Sequence, residues 1–234
     1  MALDDNTLLA MMQLKYDNAR SGRWEIEIVD IDQQMLDGWY AHQEKLVREN
    51  GGIFERDMMR QTPEKDVPYL FYGKHYIMSG NHSMRELHLP FMRQVSGDVL
   101  LTGLGLGLVA AACLRHPAVN SVTVVECEKE VIRLVAPAVR EVAEQAGKLL
   151  VIERHDAYRW SPRYGRQYDW IYHDIWSDLD ATTIPDLHWR MMQWHKRWLK
   201  PGGMQTCFKL EDMQQFQEYA RQTALSRAQA RHPS

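Results

Sequence analysis

At 234 residues, 45% of them hydrophobic, and a formal net charge of −3, the chain can bury one sizeable core and has no overall electrostatic drive toward nucleic acid. No apolar run approaches the roughly 18 residues of a membrane span, and the start, Met1-Ala-Leu-Asp-Asp5, lacks the basic and apolar regions of a secretory signal. Cys113, Cys127 and Cys207 fall in apolar segments without CxxC spacing, which argues against a disulfide frame or zinc site and predicts buried reduced thiols in a cytoplasmic protein.

Residues 1–97 mix methionines, aromatics and charges and contain no β-branched run of the kind a parallel sheet buries. Arg23 to Ile31 alternates apolar and charged side chains, the period of a strand with one solvated face. From Gln33 to about Glu49, Met35, Leu36, Trp39, Tyr40 and Leu46 recur at helical spacing, and Asn50-Gly51-Gly52 supplies a stop. Pro68 to Met78 reads as extended with a turn at Gly73-Lys74, and Ser83 to about Gln94 as a helix interrupted at Pro90. Together these elements predict a small α+β cap.

From Asp98 the pattern alternates strand and helix, which builds a parallel, Rossmann-like α/β sheet with helices on its faces. The strands are Val99 to Thr102, Val122 to Glu126, Leu149 to Glu153, Trp170 to Asp174 and Met204 to Lys209. Helices fill the gaps at about Leu106 to Arg115, Lys129 to Gln145 and Asp186 to Leu199, and Pro201-Gly202-Gly203 stops the last. The domain reading is therefore 1–97 for the cap, 98–210 for a core of about five strands, and 211–234 for a polar helix and tail, which leaves the carboxyl end of the sheet short.

The first core strand runs into Gly103-Leu104-Gly105-Leu106-Gly107, and the second ends in Glu126. Glycines at alternate positions let backbone approach a ligand, and a strand-terminal carboxylate can accept both hydroxyls of a ribose. A GxGxG turn alone also occurs where a helix packs closely on a strand, so its position after a strand and before a helix matters. Position 108 is Leu, so the third glycine falls one residue short of the dinucleotide pattern GxGxxG.

These motifs resemble the class I S-adenosylmethionine-dependent methyltransferase fold, and more narrowly its spermidine-synthase-like branch, over about Val99 to Lys209. Val99 to Gly107 is similar to the motif that wraps the methionine part of the cofactor, and Glu126 to the ribose-binding acid. His155-Asp156-Ala157 resembles the Asp-Ala pair at the adenine, Tyr168 to Asp174 the strand leading into the active site, and Leu199 to Gly203 the turn before the fifth strand. The resemblance implies S-adenosylmethionine as cofactor and Gly103, Leu104, Gly105, Gly107, Glu126, Cys127, Asp156, Ala157 and Asp174 as its binding residues. Asp174 is also the candidate catalytic base. The ordinary alternative for Glu126, Asp156 and Asp174 is capping of the next turn or helix, and Asp178 and Asp180 read as solvated loop acids.

Two departures bear on the reaction. Leu101 stands where many methyltransferases carry an acid, and Leu106 where spermidine synthases carry the Asp of Gly-Gly-Gly-Asp-Gly-Gly. Glu86 is the candidate replacement, since Tyr76 to Ser79 and Asn81 to Glu86 can fold over the cofactor from the cap. Asp174-Ile-Trp-Ser is not the motif that grips an exocyclic base nitrogen, which favours a small-molecule substrate over nucleic acid. The leading expectation is methyl transfer to an unidentified nucleophile. Aminopropyl transfer from the decarboxylated cofactor is one alternative, and a non-catalytic binding or assembly protein that keeps the fold is another. Substrate contacts then fall to the cap or to a second subunit, with a homo-oligomer through the cap as one form. Trp170, Tyr172, Trp176, Trp189, Trp194 and Trp198 read mainly as packing. His173, His188 and His195 lack a ligand motif such as HExxH, so no metal is expected.

Overall fold

A computed structural model of the chain describes residues 3–49, 61–175 and 184–208. The stop at Asn50-Gly51-Gly52, Trp176, Asp178 and Asp180, the strand end at Lys209 and the polar stretch from Glu211 lie outside them, as do the side chains of Leu46 and His188.

The cap starts with α1 (Asp5–Met11), capped by the Asp4 carboxylate accepting the Thr7 N–H at 2.9 Å. Then follow β1 (Ala19–Ser21), β2 (Trp24–Ile31), α2 (Gln33–Glu49), β3 (Glu64–Tyr72) and β4 (His75–Ser79). The four strands form an antiparallel sheet in sequence order. The helix expected over Ser83 to Gln94 divides into α3 (His82–Glu86) and α4 (Leu89–Met92). Pro90 occupies the first turn of α4, where a missing N–H costs nothing, and the break falls at Leu87 and His88.

The core comprises β5 (Gly97–Thr102), α5 (Leu108–Arg115), β6 (Val119–Glu126), α6 (Lys129–Ala146), β7 (Leu149–Arg154), β8 (Tyr168–His173), α7 (Ile184–His195) and β9 (Leu199–Cys207). Its sheet is parallel in the order β7-β6-β5-β8-β9. The chain therefore leaves β5 in one direction and returns to its other side at β8, the reversal that opens a crevice at the carboxyl ends of strands in Rossmann-like folds. Val131, Val135, Val139 and Val142 form the buried stripe of α6, and Gly147 at φ +63° ends it in the left-handed conformation that such a stop requires.

Alternation along the strands separates two cores. Val99, Leu101, Trp170 and Tyr172 face α5, α6 and the cap, joining Leu8, Met12, Ile26 and Leu70 in one continuous cluster. Leu100 and Ile171 face the other way, toward Trp160 and Met191. Burial of Trp170 and Tyr172 agrees with the packing expectation, whereas Trp189 is exposed.

The helix expected to reach Leu199 ends at His195, and the strand after it starts earlier than expected. Leu199-Lys-Pro-Gly-Gly203 lies inside β9 rather than before it. Tyr168 pairs with Leu199 but Trp170 pairs with Met204, so the Pro-Gly-Gly residues bulge out between two paired positions. A proline lacking an N–H is tolerated there because the bulge needs no ladder bond from it.

Candidate functional site

The crevice above β6, β5 and β8 is a cleft of about 400 Å³, within the size range of small-molecule sites. Gly103, Gly105, Glu126, Cys127, Asp156, Ala157 and Asp174 line it. These residues are brought together from the ends of four strands, because in a parallel sheet all the strand ends face the same way.

Glu126 is the central polar group. It is 9% exposed, and its carboxylate accepts the Leu104 N–H and the Glu128 N–H, each at 2.9 Å and each on a different oxygen. It thus ties the glycine turn to the end of β6. Each carboxylate oxygen has a second lone-pair direction and Glu126 lines the cleft, so beside the neighbouring Cys127 thiol it keeps acceptor capacity for a donor there.

The three glycines do different work. Gly103 has φ +95°, and a Cβ there would collide with the carbonyl oxygen of Asp174, so β5 and β8 can approach each other only with glycine at this place. At Gly105 a Cβ would lie 2.6 Å from Met78 Sδ, which the cap lays over the turn. Gly107 faces away from the cleft, toward Val135 and Val139 of α6, and serves helix packing. Leu104 is likewise absent from the main cleft and borders only the small recess beside His88; its side chain is in the core and its N–H holds Glu126.

Asp174 is half-buried directly after β8, and its N–H donates to the Thr102 carbonyl at 2.9 Å, continuing the ladder past the strand. Asp156 is exposed, and its Oδ1 accepts the Tyr158 N–H at 2.9 Å, so it caps its own turn while bordering the cleft. Cys127 is exposed, not buried as expected of all three cysteines, because it follows the last buried residue of β6. Partial burial and the charges of Glu126 and Glu128 push its thiol up to about 11, so it stays protonated near neutrality.

The cap supplies much of the other wall through Trp24, Leu70, Ile77, Met78, Met84 and His88. Glu86 is not among the lining residues; it is exposed and lies 3.4 Å from His82 Nε2 on the outer face of α3. Leu101 and Leu106 are 3% and 0% exposed and belong to the core cluster; Leu106 does not line the cleft, and Leu101 meets only a small recess beside His88 and Asp174, to which it offers apolar surface and no charge. The Leu106 carbonyl instead accepts the Tyr16 hydroxyl at 2.6 Å, which ties the segment after α1 to the glycine turn.

His88, Trp24 and Phe208 are lining residues that pattern reading missed. The available signal for His88 was the helix break enforced by Pro90, which turns its side chain away from the face of α3. Among the described residues no group of three or more His, Cys, Asp or Glu could hold a metal ion, and no helix is long and apolar enough to cross a membrane.

No protein-family model matches the chain, and no curated protein matches it in sequence. Solved structures that align with it include YjhP from E. coli, 18% identical over 52% of this chain and 47% of that one, with a TM-score of 0.38. A methyltransferase from Geobacter sulfurreducens in complex with S-adenosyl-L-homocysteine is 19% identical over 52% and 47%, with a TM-score of 0.38. Aeropyrum pernix fibrillarin with natively bound S-adenosyl-L-methionine is 19% identical over 47% and 44%, with a TM-score of 0.36. The match spans about half the length of these proteins. Likeness at this level carries no weight of its own, and the functional conclusion rests on the residues of the cleft.

Proposed function

We propose that this cleft binds S-adenosylmethionine and that the chain transfers its methyl group to a nucleophile on a small molecule. The observation that carries the proposal is Glu126, whose carboxylate fastens the glycine turn and still presents acceptor capacity to a crevice at the sheet's reversal point. Ribose hydroxyls are the donors that such an acid matches. The glycine turn supports this fit, since Gly103 keeps the backbone clear of side-chain bulk beside Asp174. Gly103, Gly105, Glu126, Cys127, Asp156, Ala157 and Asp174 are the proposed binding set, with Leu104 and Gly107 shaping the turn from behind.

S-adenosylmethionine supplies a methyl on a sulfonium sulfur; the bond from nucleophile to carbon forms as the S–C bond breaks, and its electron pair returns to sulfur. The protein's part is alignment and desolvation. Met78, Met84, Ile77 and Trp24 give the cleft an apolar wall beside the glycine turn, which favours desolvation of a small acceptor held against it. Asp174 lines the cleft at the β8 end, which supports a role in orienting the cofactor or accepting a proton from an attacking group.

Aminopropyl transfer needs carboxylates on both sides of a diamine. Among the described lining residues, Glu126, Glu128 and Asp156 border the β6 and β7 end, which leaves Asp174 alone near β8. Methyl transfer asks for no such set of acids, and relative affinity for the intact and decarboxylated cofactors separates the two reactions. Placement in the spermidine-synthase-like branch rests on motif order in the sequence alone.

Calorimetric titration with S-adenosylmethionine, its demethylated product and NAD tests the cofactor; binding of the first two and not the third is expected. Incubation of the loaded protein with pooled small-molecule acceptors should then release S-adenosylhomocysteine. Binding of NAD alone would refute the proposal, and binding without turnover across broad acceptor pools would favour the non-catalytic alternative.

A further inference from the structure

His88 is 2% exposed, lines the cleft, and also lines a recess of about 20 Å³ at the cleft floor. Its Nδ1 lies 2.8 Å from the Tyr172 hydroxyl. No other described group hydrogen-bonds the ring, and the residue borders both hollows, so with Nδ1 taken by Tyr172 the Nε2 edge is the one left for a ligand there. The tautomer follows from Tyr172. Its phenol is buried on β8, and His88 Nδ1 is its one hydrogen-bond partner among the described residues. Leaving that O–H without an acceptor would be costly, so the phenol donates to Nδ1 and the imidazole proton sits on Nε2. Burial also holds His88 down to about 4, so the ring is neutral near pH 7. The cleft thus contains a fixed, neutral N–H donor near its β8 end.

The sheet order determines what that donor meets. A nucleoside anchored by Glu126 on β6, with its base toward Asp156 after β7, must extend past the Gly103 turn toward β8. The distance from β7 to β8 is three inter-strand spacings, about 14 Å. Among the described residues, the far end presents one anion, Asp174, and one neutral donor, His88. An α-amino acid carries a cation and an anionic acceptor on one carbon, which complements that pair.

We propose that His88 is a specificity-determining residue whose Nε2–H holds the α-carboxylate of the cofactor, with Asp174 on the ammonium side, so that the site selects the intact over the decarboxylated form. The inference rests on the proposed cofactor. It also accounts for leucine rather than an acid at 101 and 106, since polar recognition of the amino-acid end then comes from the turn between α3 and α4 and from the end of β8.

Calorimetry with S-adenosylmethionine, decarboxylated S-adenosylmethionine and 5′-methylthioadenosine, on the wild type and His88→Phe, tests this. One hydrogen bond to a charged group corresponds to roughly a 10- to 100-fold preference for the intact form in the wild type. His88→Phe should abolish that preference while leaving methylthioadenosine affinity unchanged. Tyr172→Phe, which frees the tautomer, should reduce it in part. A preference that survives His88→Phe, or an equal loss for all three ligands, would overturn the role of His88 while leaving the cofactor assignment standing; a wild type that binds none of them would overturn both. Long-range 1H–15N spectra of the wild type need no variant. They should show His88 protonated at Nε2, with a shift on adding S-adenosylmethionine but not methylthioadenosine, and an Nδ1-protonated ring would also refute the proposal.

Discussion

Replacing Glu126 with Gln separates the structural and ligand-binding duties of one carboxylate. It accepts two backbone N–H groups at 2.9 Å, and hydrogen bonds to a charged group contribute about 1.5–3 kcal/mol each. Glutamine keeps one acceptor and turns an NH2 toward the other donor, so a loss of about 2–3 kcal/mol is expected. In a chain of this size each kcal/mol moves Tm by about 2–4 °C, which lowers the unliganded Tm by about 5–10 °C. Ligand at 100 times its Kd stabilises the wild type by about 2.7 kcal/mol, a rise of similar size. Losing a charged acceptor for the ribose weakens binding about 10- to 100-fold, so the same ligand concentration should give the variant only about 1 kcal/mol. Differential scanning fluorimetry with and without S-adenosylhomocysteine measures both effects. A variant with an undiminished ligand-induced rise would refute ribose binding by Glu126, and an unchanged unliganded Tm would refute its role in fastening the turn.

Gly103→Ala should abolish soluble expression or cost more than about 3 kcal/mol, whereas Gly147→Ala, also at positive φ but with nothing within 4 Å of its Cβ, should cost about 1–2 kcal/mol by urea titration. Equal losses would show that contact with Asp174 is unimportant. His88 and His195 are each lowered by burial from 6.5 to about 4. Between those values the unfolded chain binds more protons than the folded one, so the histidine contribution should be flat from about pH 7 to pH 8 and stability should fall from about pH 6.5 toward pH 4, by an order of 3 kcal/mol for each histidine. Denaturant midpoints at stepped pH check this, and His88→Phe should flatten the curve. Lys200 meets Asp98 at 2.9 Å and Asp169 at 2.7 Å at the opposite end of the sheet from the cleft, with side chains about one-third exposed. Lys200→Met should cost about 1 kcal/mol or less and leave the ligand-induced Tm rise intact; a lost rise would tie that network to the site.

The core strands were legible because both faces of β5, β6 and β8 are covered, so burial writes itself as continuous apolar runs. Helix α6 was legible for the same reason at a different period, with valines at 131, 135, 139 and 142. Short elements were not: β1 has three residues, and α1 buries little beyond Leu8 and Leu9, too few positions for a period to emerge. Pro201-Gly202-Gly203 misled because a bulge inside a strand and a stop before one use the same residues. Glu86 and His88 show a similar limit. They are two positions apart, and the break between α3 and α4 sends one to solvent and the other into the cleft.

Local sequence by itself determined the alternation of strands and helices, the glycine turn at 103–107 and the acid at 126, because each depends on neighbouring residues and on backbone sterics. Only the tertiary structure decided which side chains complete the cleft. Its walls join Trp24 and Met78 to Glu126, Asp174 and Phe208, and no local period encodes a meeting between residues so far apart in the chain. The same holds for the direction of each polar group. Leu101 and Leu106 point into the core and His88 into the cleft because packing of the cap against β5 and β8 leaves the apolar side chains no other burial and the imidazole its phenol partner.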